Sequence, residues 1–220
     1  MQTFNTPAPI SAVLDIPAGR IQFIAADRAD TVVEVRPADA DKSRDVKTAE
    51  QTRVEYADGV LRIEATAGNQ ILGRSGYLEV TVQLPAGSRV EAKAAAAELR
   101  GVGRLGDVLF EGAQGEIKLD EAASVRLRTA AGDVAIGRLN GPAEISTAKG
   151  DIQIAEAVRG SLVATTQAGS ISVAAAPGVS ASLDAGTGYG RVTNDLKNDG
   201  SAVLHINATT AYGDIVARSL

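Results

Sequence analysis

The side chains best suited to chemistry are few. His205 is the single histidine and there is no cysteine, so a Ser–His–Asp triad, a thiolate nucleophile and a thiolate metal centre lack their parts. The neighbours Leu204 and Ile206 take the inward positions of an alternating stretch, which turns His205 out to solvent. What recurs instead is the carboxylate. Glu98, Glu116, Asp133, Asp151 and Asp214 occupy one slot of a repeated phrase, shared with Ser170 and Arg191. Carboxylates stacked at sheet spacing repel unless they are solvated or bridged by a cation, which makes Asp133 and Asp151 the candidate metal ligands. The competing reading is that each acid bonds local backbone at a glycine turn. One acid per turn also departs from the G-G-x-G-x-D turns of calcium-binding repeats.

Tyr189 and Tyr212 stand just before the last two glycines of the phrase. As a pair they are the candidate ligand-binding residues, offering an aromatic surface to a sugar; the plainer reading is that they cover a turn. Gly101-Val-Gly103-Arg-Leu-Gly106 fits G-x-G-x-x-G, but that mechanism needs a helix to follow the glycines. Here Asp107 to Phe110 reads as strand, so no cofactor is expected. Residues expected on an outer face, among them Arg126, Arg128, Glu144, Ser146, Thr165, Asp184 and Thr209, form a mixed charged surface. It lacks the convergent carboxylates of glycoside hydrolysis. No catalytic residue is assigned, and the chain reads as a non-enzyme.

These residues are placed by a repeat. Thr-Ala-Ala-Gly-Asp-Val-Ala-Ile from Thr129 returns as Thr-Ala-Lys-Gly-Asp-Ile-Gln-Ile from Thr147. The phrase anchors on Gly115, Gly132, Gly150, Gly169, Gly190 and Gly213, with Ala97 in the slot before them, at intervals of 17–23 residues. Apolar residues two and four places after the glycine, and five and seven before it, give each copy two strands with inward faces. Thr129, Thr147, Thr166, Thr187 and Thr210 recur three places before the glycine. A lone strand pair is marginal in water, so the copies must stack and share a core. The pattern predicts an all-β, single-chain β-solenoid, β-helix-like with two strands per repeat, over residues 94–220. The six glycines are its structural corners, where positive φ excludes a Cβ.

Residues 1–93 read as irregular strands that cap this stack within one continuous domain. Strands are expected at Ala12 to Ile16, Arg20 to Ala25, Thr31 to Arg36, Thr52 to Tyr56, Val60 to Ala65 and Tyr77 to Leu84. Pro17-Ala18-Gly19 and Pro85-Ala86-Gly87 read as turns, and Tyr56-Ala57-Asp58-Gly59 as a hairpin turn. Residues 38–51 suit a short helix or exposed loop, and Thr66 to Gly76 a loop. A net charge of −5 supplies no basic footprint for nucleic acid. No apolar stretch is long enough for membrane insertion, and the N-terminus has no signal-peptide pattern, so the expected location is cytoplasmic. The final copy stops within its strand, and its inward Ile206, Ile215 and Ala217 are expected at an open C-terminal rung. That end invites a homodimer, unless the Leu196-to-Gly200 loop covers it.

Strand–Pro-Ala-Gly–strand followed by tandem Thr-Ala-x-Gly-Asp-[Ile/Val]-x-[Ile/Val] resembles a bacterial β-strand-repeat family of unknown function, labelled "putative adhesin". The resemblance covers nearly the whole chain. It implies a β-solenoid and brings no catalytic residues with it. The expected role is an interaction or scaffold module with a protein partner; the alternative is a carbohydrate-binding or carbohydrate-active solenoid that uses an outer face.

Overall fold

Alternation, glycine corners and two tight turns account for most of the backbone. The computed structural model describes residues 1–65 and 76–220; the loop expected from Thr66 to Gly76 lies outside them except for Gly76. In chain order the elements are β1 (Gln2–Asn5), β2 (Ser11–Ala26), β3 (Asp30–Pro37), α1 (Ser43–Gln51), β4 (Thr52–Ala57), β5 (Val60–Ala65), β6 (Leu78–Pro85) and β7 (Arg89–Gln114). There follow β8 (Ile117–Arg128), β9 (Val134–Leu139), β10 (Ala143–Lys149), β11 (Ile152–Ala157), β12 (Gly160–Ala168), β13 (Ile171–Ala175), β14 (Ala181–Tyr189), β15 (Val192–Asp195), β16 (Leu204–Tyr212) and β17 (Ile215–Ser219). The fold is all-β. Among the described residues no helix is long and apolar enough to cross a membrane.

The repeats pair in parallel with each phrase in register. Ile152 stands beside Val134 on one side and Ile171 on the other, and Ala143 beside Val125 and Leu162. This register turns the same columns inward in successive copies. Val125, Leu127, Ile145, Ile152, Ile154 and Leu162 are all buried, whereas Gln153 is exposed.

The ladder does not begin at residue 94, and the expected boundary falls inside β7. β2 runs parallel to β7, with Gly19 beside Ala97, and on its other side meets β5 and then β6. The first half of the chain thus supplies rungs as well as a cap. Pro17-Ala18-Gly19 is not a turn between two strands but a corner within β2, where Gly19 has φ 144°. Pro85-Ala86-Gly87 does reverse the chain, with Ser88 N–H donating to Pro85 O. The antiparallel cap is smaller than expected: β4 on β5, β3 on β6 and β1 on β3. Asp58 (φ 51°) and Gly59 (φ 77°) close the β4–β5 hairpin, the two left-handed residues that such a turn demands.

The far end also differs from expectation. The last copy in sequence is not the last in space. β16 lies between β12 and β14, and β17 between β13 and β15. Ile206, Ile215 and Ala217 are therefore 2%, 1% and 0% exposed instead of open to solvent. Every copy carries the same alternation and corner, so the final strands fit a slot between two earlier copies and are paired on both sides. The spatial end is β14–β15. Leu196 packs partly against the core beside it, and Ala181 N–H donates to Lys197 O at 3.0 Å.

Candidate functional site

The repeated phrase builds one corner, and the chemistry-bearing residues flank it. A Cβ on Gly132 would lie 2.0 Å from the carbonyl oxygen of Gly115, and one on Gly150 2.2 Å from that of Gly132. The same contact orders the far corners in space, since Gly213 meets Gly169 O and Gly190 meets Gly213 O, each at 2.0 Å. The crowded carbonyls are also acceptors. Thr166 Oγ1 donates to Gly150 O (3.1 Å), Thr210 Oγ1 to Gly169 O (2.9 Å) and Thr187 Oγ1 to Gly213 O (2.9 Å). In these three copies threonine and glycine act together, the glycine letting the backbones close up and the hydroxyl bonding the carbonyl they enclose, whereas Thr129 and Thr147 donate to Ala131 O and Lys149 O of their own corners.

The acids follow the glycines. Asp133 Oδ1 accepts the Asp151 backbone N–H at 2.8 Å, and Asp151 Oδ1 accepts that of Ser170 at 2.7 Å. Asp214 Oδ1 accepts the Arg191 N–H at 2.9 Å. Each carboxylate therefore caps the corner of the next rung. The candidate metal pair Asp133 and Asp151 does sit on adjacent rungs, but both side chains are engaged this way. Among the described residues no three His, Cys, Asp or Glu side chains converge as metal ligands. Two cations stand in the column in space, Arg191 from the repeated slot and Arg20, which the sequence reading left out. Arg20 stands between Glu79 (3.9 Å) and Glu98 (3.1 Å), and Arg191 follows Asp214 at 3.7 Å. Arg20 could have been found from Gly19, which bears the same relation to it as each later glycine does to its acid.

The tyrosines do come together. Tyr189 and Tyr212 are in register and stack with centroids 5.0 Å apart and planes within 3°. They remain 71% and 60% exposed. Asp133 and Asp151 are not part of that site, since the rungs of Ser170 and Asp214 stand between Asp151 and the end. The paired faces of the rings cover one another, and Tyr189 lies on the terminal rung. Beside them Val192 is 45% exposed although its column neighbour Ile215 is 1% exposed. His205 points outward, as expected, and shares a 2.9 Å hydrogen bond with Ser182 Oγ. Gly103, from the glycine motif, lies within β7 and donates its N–H to Asp120 Oδ2, so no helix follows those glycines.

Along the outer faces, charges pair from rung to rung. Glu144 accepts from Arg128 at 2.7 Å and Arg126 at 3.1 Å. The hydrogen bond from Arg128, with its charge, holds the Glu144 carboxyl below the usual glutamate range. Arg100 meets Asp120 at 2.7 Å, and Arg138 is bonded to Glu156.

A family model described as Toastrack DUF4097 matches residues 11–217, the span from the start of β2 into β17. The chain belongs to the Toastrack DUF4097 family. A "putative adhesin" from Bacteroides fragilis is a similar solved structure, with 14% identity over 98% of this chain and 95% of that one and a TM-score of 0.56. Another from Parabacteroides distasonis shares 13% identity over 98% and 95% of the two chains, with a TM-score of 0.42. At 14% identity the Bacteroides likeness speaks for the fold. No curated protein matches the chain. The Toastrack family and the adhesin label agree with the resemblance carried by the tandem Gly-Asp phrase. As a Toastrack domain the chain is an all-β member of a family whose function is undefined.

Proposed function

We propose that this Toastrack chain is one continuous β-solenoid that serves as a non-enzymatic interaction module, binding a protein partner at the β14–β15 end. The observation that carries the reading is a cluster of exposed apolar side chains. Tyr77, Val163 and the two terminal residues are exposed elsewhere, but Tyr189, Tyr212, Val192 and Val203 gather on the last two rungs or the segment joining them, where a contact surface needs aromatic and aliphatic anchors. The paired charges of the outer faces support it too. Glu144, Asp120 and Glu156 are committed to arginines instead of converging on a cleft.

The tyrosines bear on the carbohydrate alternative. A sugar platform presents open ring faces, whereas these rings stack on each other and cover one face of each. That arrangement favours a protein contact.

A photo-crosslinking amino acid installed at Tyr189, and separately at Gln153 on the middle of the outer face, tests the reading in native host cells. Covalent adducts to another polypeptide are expected at Tyr189 and not at Gln153. Equal labelling at both positions, or none at Tyr189, overturns it. Saturable oligosaccharide binding that disappears in Tyr189→Ala/Tyr212→Ala would transfer the site to the alternative.

A further inference from the structure

The two ends of the parallel ladder are finished differently. At one end antiparallel strands close it, β4 on β5 and β3 on β6. At the other, among the described residues, β14 pairs only with β16 and β15 only with β17. In a parallel ladder alternate residues direct their N–H and C=O to alternate neighbours. Leu204 N–H donates to Ser180 O, so Ser180, Ser182, Asp184 and Gly186 face β16, up to the break in pairing at Gly188. Leu183, Ala185 and Thr187 therefore turn their backbone groups to the free side, where the Ala181 N–H is already taken by Lys197 O.

The paired side shows what this rung accepts. Asp195 has Arg218 opposite it in register, and Asp184 has Asn207. Deeper in the column of Asp184, Arg126 and Glu144 make the same cross-rung pairing as an ion pair. On the free side the next position along each of those two columns is vacant, and so is the inward position over Val192. Resting on the reading of this end as the contact surface, we infer that the free edge of β14–β15 is a strand-acceptor site for an extended segment of a partner protein. That segment carries lysine or arginine opposite Asp184 and Asp195 and an apolar residue over Val192. Main-chain hydrogen bonds supply the attachment and the alternate side chains supply the choice of partner. A second copy offering the same edge would set these carboxylates against their like, which is unfavourable directly across a ladder.

The probe is a fluorescent peptide with the sequence of residues 204–218 carrying Asn207→Lys, a strand–corner–strand whose Arg218 already matches Asp195. It is titrated by anisotropy against the full chain. Saturable binding is expected, weakened at least about tenfold by Ala185→Pro, which removes a donor on the free edge only. Asp184→Lys/Asp195→Lys should weaken it by a similar factor and Gln153→Lys should not; these surface variants keep the test alive if the proline variant fails to fold. Binding indifferent to Ala185→Pro in a folded variant would mean that the peptide replaces β16, and overturns the proposal. So does no binding, or a concentration-dependent dimer of the full chain that Ala185→Pro abolishes, which would give the edge to a second copy. Crosslinks at Tyr189 that persist without peptide binding would remove strand addition alone and leave the interaction reading standing.

Discussion

A methyl group on Gly150 would sit 2.2 Å from the carbonyl oxygen of Gly132 and 2.6 Å from its carbon. Neither atom can move without parting two rungs. Gly150 also has φ 142°, a conformation in which any L side chain is strained. Gly59 separates these two costs, because it has φ 77° but nothing within 4 Å of its Cβ position. Gly59→Ala should therefore lower stability by about 1–2 kcal/mol, the cost of conformation alone. Gly150→Ala should cost more than about 3 kcal/mol, strain and crowding together. Denaturant titration of both variants checks this, and equal losses would show that the rungs do not close on the glycine. The glycine and threonine columns were legible because five or more copies repeat them. Arg20 was not, because its glycine sits in a single early copy that reads as a turn.

At the scale of the element, the register of β11 decides which residues bear the core. Ile152 is buried and Gln153, its immediate neighbour, is exposed. Ile152→Asp should abolish folding, since a buried unpaired carboxylate costs several kcal/mol, while Gln153→Asp should change stability by less than about 1 kcal/mol. Circular dichroism melts of the two variants give the answer, and similar behaviour would refute the register. Strands such as β6 and β11 were plain from their alternation, and the Asp58-Gly59 hairpin from its turn residues. The corner in β2 was hidden because the same tripeptide, Pro-Ala-Gly, serves at residues 17–19 as a bend in one strand and at 85–87 as a true turn. Its partners disguise it further. The rung beside β2 is assembled from β5 and β6, which are not continuous in sequence, and its corner is Leu78 instead of a glycine.

The order of the rungs is a property of the whole molecule, and local pattern could not reveal it. Consecutive elements are usually neighbours in space, and β14 would meet β12 in the same register that β16 adopts, Ala181 and Leu204 both matching the start of β12. What separates the alternatives is which copy can stand at an end. The copy from 181 to 195 has Asn194 where the others carry an inward apolar residue or glycine, and Asp184 and Asp195 beside it. The final copy has Ile206, Ile215 and Ala217. Placing the polar copy outermost buries the apolar one, so the chain's last strands enter a gap that β14 leaves open. Cysteine pairs test this in a protein that has none of its own. Val163, Asn207 and Asp184 follow one another along a single outward column. Neighbouring rungs are about 4.8 Å apart, within disulfide reach, whereas two spacings exceed the limit of about 7 Å. Val163→Cys/Asn207→Cys should therefore oxidise to an intramolecular disulfide and Val163→Cys/Asp184→Cys should not, read by peptide mapping without reductant. Stacking in chain order requires the reverse result.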